Sequence, residues 1–162
     1  MGNVSAYNIN AALARSPEGI AFGKAAQRVK AADFTDGGST SGTLTMNQQI
    51  PAKSFVLGTF VNVIEAFDDD TSAALTVGKT SGGDEFSDGT SIDVSSAGAA
   101  GDSPEDPLEF LASAQSVYLQ LTSATDFSLI AAGDGEMIVE VWYLTADRSD
   151  LTRGYPDRNR KG

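Results

Sequence analysis

Histidine and cysteine are both missing from this chain of 162 residues. Without cysteine there is no disulfide frame, no thiolate ligand and no thiol nucleophile. Without histidine, Ser-His activation, the commonest general base at neutral pH and nearly all protein zinc sites are excluded. No apolar run approaches the ~18 residues a helix needs to cross a bilayer, and the first twenty residues lack the charged start and continuous apolar stretch of a signal peptide. The expectation is a soluble product with no membrane partner, retained where it is made. Positive charge is scarce too, with 11 Lys and Arg against 22 Asp and Glu and a net charge of −11. Length fits one domain.

The charge that is present is unevenly placed. Residues 1–34 hold Arg15, Lys24, Arg28 and Lys30 against Glu18 and Asp33, a net +2. Residues 145–162 hold Arg148, Arg153, Arg158, Arg160 and Lys161 against Asp147, Asp150 and Asp157, again +2, while residues 35–144 carry −15. An acidic body repels phosphate, so no nucleic-acid partner is expected. Solubility at high local concentration is the simplest use of such a body.

The middle of the chain reads as strands. FVLGTFVNVIEAF (55–67) is apolar in both alternating sets, as in a strand covered on both sides, and QSVYLQLTS (115–123) alternates cleanly. DFSLIAAGDGEMIVEVWYL (126–144) predicts a hairpin, with Gly133, Asp134 and Gly135 supplying the turn. Its closing strand is apolar on both faces, which places Trp142 in the core. GTLTMN (42–47), AALTVG (73–78) and TSIDVS (90–95) are shorter candidates. Strands at this spacing predict an all-β fold, an antiparallel β-sandwich or jelly roll over 35–144, with an N-terminal arm at 1–34 and a C-terminal tail at 145–162. Helix is limited to a turn opened by Asp106 and Pro107 with Glu109, and to a possible start at Ser16-Pro17-Glu18 weakened by Gly19 and Gly23.

Residues 65–93 concentrate eight of the 22 acids and invite a metal reading. An EF-hand loop opened at Asp68 has Ala73 where glycine is required and Lys79 at the bidentate position; one opened at Asp84 has Phe86 and Ser95 at ligand positions. An irregular calcium site using Asp68, Asp70, Asp84 or Asp88 stays open. Val77-Gly78-Lys79-Thr80 lacks the first glycine and the following helix of a phosphate loop. Asp and Gly chosen for turn conformations are the simpler explanation. The serines of GGSTSG (37–42) have no activating base, and only 13 aromatic residues are available to surround a carboxylate pair. No catalytic residue, metal ligand or cofactor is expected, and no enzyme activity.

Ile50-Pro51-Ala52, the acidic turn Asp68 to Asp70, Leu75 to Gly78, Asp88 to Val94, Ser96 to Gly98 and the closing strand Met137 to Tyr143 follow one another in a set order. This pattern over residues 42–144 resembles a tailed-bacteriophage virion structural protein of the capsid decoration, or cement, type. The resemblance implies a sandwich or jelly roll, made in the host cytoplasm and located on the capsid surface. Its partners would be the major capsid protein and copies of itself, a homo-oligomer with a trimer as the first guess. Subunit contacts are expected at the basic ends, through Tyr7, Ile9, Leu13, Arg15 and Arg28 and through Arg153, Tyr155, Arg158 and Arg160. The alternatives are a tail, neck or fibre-associated virion module, or a carbohydrate- or calcium-dependent adhesion module.

Overall fold

The long alternating runs become the walls of an antiparallel sandwich. A computed structural model of the chain describes residues 21–88 and 91–145. One sheet has the order β1 (Ala21–Lys30), β10 (Glu136–Thr145), β4 (Ser54–Glu65) and β7 (Gly98–Asp102), with β8 (Phe110–Leu111) pairing the start of β4. The other runs β2 (Thr35–Asp36), β3 (Ser41–Ile50), β9 (Gln115–Ser123), β5 (Ala73–Gly78) and β6 (Ile92–Asp93). Leaving out β2 and β8, two of the three two-residue strands, the walls interleave strands as first-eighth-third-sixth and second-seventh-fourth-fifth. That interleaving is the jelly roll.

The core is the inner set of each strand. Val56, Val61, Val63, Val139 and Val141 from the first sheet face Leu75, Val77, Leu119 and Leu121 from the second, and all are buried. Phe67 and Phe86 from loops, and Phe127 from the segment between β9 and β10, close the ends at zero exposure. Phe127 lies directly on Gly42, where a Cβ would sit 2.2 Å from the ring, so only glycine fits.

Where β1 and β3 meet, two glutamines span the gap between sheets. Gln27 Oε1 accepts from Asn47 N at 2.7 Å and Gln48 Oε1 from Ala26 N at 2.9 Å. These bonds occupy edge amides that would otherwise invite another strand.

Four expectations are corrected. The hairpin at 126–144 does not form: Phe127–Ala131 is a short helix, α1, capped by the Asp126 carboxylate accepting from Ser128 N at 2.9 Å. Phe127 and Ile130, three apart, are both buried, so helical spacing wins over alternation. The helical turn at Asp106 is also absent, because Leu108 adopts a left-handed φ of 62°. Residues 21–34, assigned to the arm, lie inside the fold: β1 pairs β10 along its whole length, from Ala21 opposite Thr145 to Lys30 opposite Glu136. Finally, β4 is not covered on both sides, and Trp142 is 40% exposed rather than core.

Candidate functional surface

The outer face of the first sheet follows from register. Antiparallel pairing sets Phe22 beside Leu144, Leu144 beside Phe55 and Phe55 beside Phe110, one apolar row across four strands. The next rows run Lys24, Trp142 and Gly58, then Ala26, Glu140, Phe60 and Gly101. Because neighbours across an antiparallel pair share a face, these outward sets form one surface. A register shift after Trp142 makes β4 bulge at Leu57 and Gly58. The bulge switches the buried set of β4 from Ser54 and Val56 to Thr59, Val61 and Val63, so Leu57 and Phe60 both turn outward. Gly58 takes φ 156°, and a Cβ there would lie 2.7 Å from the Asp102 carbonyl oxygen, so the bulge requires glycine.

Exposed apolar side chains therefore concentrate here: Phe22, Leu57, Phe60, Ile64, Phe110 and Trp142. Phe55 and Phe110 pack at 5.1 Å between centroids with their rings tilted by 48°. Around the bulge lies a groove of about 500 Å³ lined by Leu57, Phe60, Gly101, Asp102, Glu140 and Trp142. The Lys24 ammonium sits 5.2 Å over the Trp142 ring and pairs with Glu140, which also accepts from Trp142 Nε1 at 3.1 Å. The indole is thus held in one orientation, with the Lys24 ammonium over its ring and the residue 40% exposed. Asp102, at the far wall, accepts from Ser103 N at 2.9 Å and has no ion-pair partner among the described residues. Burial, with a smaller contribution from Asp88, raises its pKa above the usual carboxylate value.

The second sheet presents a different outer face. Thr43, Thr45 and Gln49 of β3 and Tyr118, Gln120 and Thr122 of β9 form the exposed or half-buried set, with Gln49 Nε2 donating to Ser116 Oγ at 2.9 Å. No large exposed apolar residue lies on it among the described residues.

Two acids of the turns, Asp70 and Asp93, accept from backbone N–H groups. Asp70 accepts from Thr71 N, Thr125 N and Thr125 Oγ1, tying the turn after β4 to the turn before α1, and these bonds lower its pKa to about 2. Asp93 accepts from Ser95 N, which holds its pKa down in the same way. A cleft of about 370 Å³ is lined by Glu65, Asp68, Asp69 and Asp134, yet no three carboxylates approach closely enough to hold a metal ion among the described residues. Lys79 forms an ion pair with Glu109 at 2.7 Å, and that bond raises its pKa. Its phosphate-loop reading thus ends in a side-chain pair.

Of the expected contact residues, Arg28 is on β1, facing outward with its side chain 63% exposed and paired with Glu136. Tyr7, Ile9, Leu13, Arg15, Arg153, Tyr155, Arg158 and Arg160 lie outside the described residues, as do the arm before residue 21 and the tail. The aromatic face itself was missed. Its signal was present in two strands apolar in both alternating sets, 55–67 and 136–144, which pair with each other.

No family model matches the chain, and no curated protein matches it. It is similar to a solved structure described as a cyanophage Pam1 capsid asymmetric unit, with a TM-score of 0.42 and 19% identity over 78% of this chain and 83% of that one. At that distance the likeness assigns no function.

Proposed function

We propose that this chain is a non-enzymatic structural subunit of a tailed-phage virion, attached to the outside of the capsid as a cement or decoration subunit. The observation that carries the reading is the outer face of the first sheet, which leaves Phe22, Leu57, Phe60, Phe110 and Trp142 open to water on a fold whose core is already complete. Contiguous apolar surface of that kind marks a protein contact on a soluble domain. The sequence resemblance over residues 42–144 supplies the phage context, and the net charge of −15 on residues 35–144 suits a body whose other side faces solvent. Fold alone supplies no function. Counting copies in purified particles is the test: cement is present in hundreds of copies, whereas a handful would assign the chain to the tail, neck or fibre.

A second reading is favoured by one observation. A part-exposed indole at Trp142, lining one groove with Phe60 and the Asp102 carboxylate, is also the equipment of a carbohydrate-binding sandwich. Co-sedimentation with insoluble polysaccharide, abolished by Trp142→Ala while particles fail to retain the protein, would move the assignment to that class.

A further inference from the structure

The first sheet is four strands wide, and β1 and β10 each run ten residues along it. At about 4.8 Å per strand and 3.3 Å per residue, its outer face measures roughly 19 by 33 Å, or about 600 Å². Two such faces in contact bury roughly 1,200 Å², which reaches the range of specific, stable protein interfaces.

Charge permits that contact. The strands of this sheet carry Lys24, Arg28 and Lys30 against Glu65, Asp102, Glu136 and Glu140, a net −1 in a chain of −11. Lys24 is paired with Glu140 and Arg28 with Glu136, so most of these charges are already satisfied within the face. Most of the other acids lie in the connections between strands. Two copies meeting here set little like charge against like.

Register makes the face complementary to itself. Trp142 and Gly58 share a middle row, with Leu144, Phe55 and Phe110 in the row on one side and Glu140, Phe60 and Gly101 in the row on the other. A two-fold axis lying along the middle row, in the plane of contact, exchanges the two flanking rows. Phe55 then meets Phe60 of the second copy, and Phe110 meets Gly101. Phe110 is a knob, 51% exposed, and Gly101 has no side chain and lines the groove of about 500 Å³ beside Phe60. The strands of the two sheets run aligned, as packed sheets commonly do. Lys24 meets its counterpart on the middle row, each ammonium already held by Glu140.

We infer that the free protein pairs with a second copy through the outer face of its first sheet, about a two-fold axis at Trp142, with Phe110 of each copy seated over Gly101 of the other. The contact is isologous, so assembly closes at two. Pairing and the attachment proposed above use the same face and exclude each other. The dimer is therefore the form that precedes attachment, and a shell takes the partner's place; that last step alone rests on the virion reading.

Trp142 is the sole tryptophan, so its fluorescence reports the axis directly in the full-length protein. As concentration rises, sedimentation velocity should show monomer giving way to dimer and to nothing larger, while emission moves to shorter wavelength and acrylamide quenching falls. Phe110→Ala and Gly101→Leu should each weaken pairing about tenfold or more. Gly101→Leu is the sharper test, because a Cβ there meets nothing closer than 3.9 Å and the added side chain fills the seat while making the face more apolar. Mixed in equal amounts, these two variants should pair more tightly than either alone, since one retains Phe110 and the other the seat. Phe60→Asp should remain monomeric and Thr45→Asp, on the second sheet, should pair as wild type, all four melting cooperatively. Four results overturn the inference: a wild-type monomer at every concentration, a dimer whose indole is as quenchable as the monomer's, an indole already protected in the dilute monomer, or pairing that Gly101→Leu leaves unchanged or tightens. Attachment to empty particles is assayed separately by particle sedimentation, so a dimer that no shell dissociates removes the virion reading and leaves the pair.

Discussion

Both sheets bury the same kind of side chain inward, yet they turn opposite chemistry to water. The first sheet shows Phe22, Phe60, Phe110 and Trp142 on its outer face, the second Thr43, Thr45, Tyr118, Gln120 and Thr122. A jelly roll needs only the inner sets to hold its walls together, so the outer sets are free to vary without loss of the fold. The polar face carries what solvation requires. The aromatic face goes against solvation, and the bulge at Leu57 and Gly58 and the Lys24–Trp142–Glu140 arrangement hold it in a fixed shape. Chemistry that the fold does not use is the better guide to what the molecule contacts.

The largest effects on stability should fall on the inner sets that the two sheets share. Leu121→Ala removes a fully buried side chain from the sheet interface and is expected to cost about 2–5 kcal/mol in chemical denaturation. Trp142→Ala, on a side chain 40% exposed, should cost clearly less. An equal loss from the two would mean that the aromatic face is a second core and that the contrast between the sheets is wrong.

Much of the fold was legible before the structure, because alternation in 115–123 and the turn clusters between strands leave few other ways to bury an apolar set. Two regions were not. At 126–131, alternation and helical spacing both fit six residues, and the Asp126 cap with the seat that Gly42 provides for Phe127 decides for helix. In β4 and β10, two apolar sets suggested burial on both sides. Only the sheet order reveals that nothing within the described residues covers the outer set. The groove was hidden for the same reason: Leu57 and Phe60 share a face only because a bulge intervenes, and nothing in local spacing announces a bulge except Gly58.

Smaller effects sharpen the contrast between surface chemistry and structural acid. Asp70 has its pKa lowered to about 2 from 3.8 by hydrogen bonds from the Thr125 and Thr71 backbones, so folding favours the carboxylate. That contribution is present above the unfolded-state pKa and is lost as pH falls from about 4 through 2. Thermal melts across this window should show a decline that Asp70→Asn flattens; an unchanged slope would remove Asp70 from the turn's support. The smallest expected effect is that of calcium. A site occupied at 100 times its Kd adds about 2.7 kcal/mol, and with no three carboxylates placed to hold an ion among the described residues, melts in calcium and in EDTA should superimpose. A clear drop in EDTA would restore an irregular metal site to the acidic turns.

On the proposed reading, the aromatic face of the first sheet, and not the polar face of the second, would attach this chain to a shell. Phe60→Asp and Thr45→Asp add the same charge at exposed positions on opposite faces of the sandwich. With both variants shown to melt like wild type, each is sedimented with empty particles and the bound fraction measured. Thr45→Asp should remain bound as wild type and Phe60→Asp should stay in the supernatant. Binding of Phe60→Asp at the wild-type level, or loss of Thr45→Asp instead, would contradict the account.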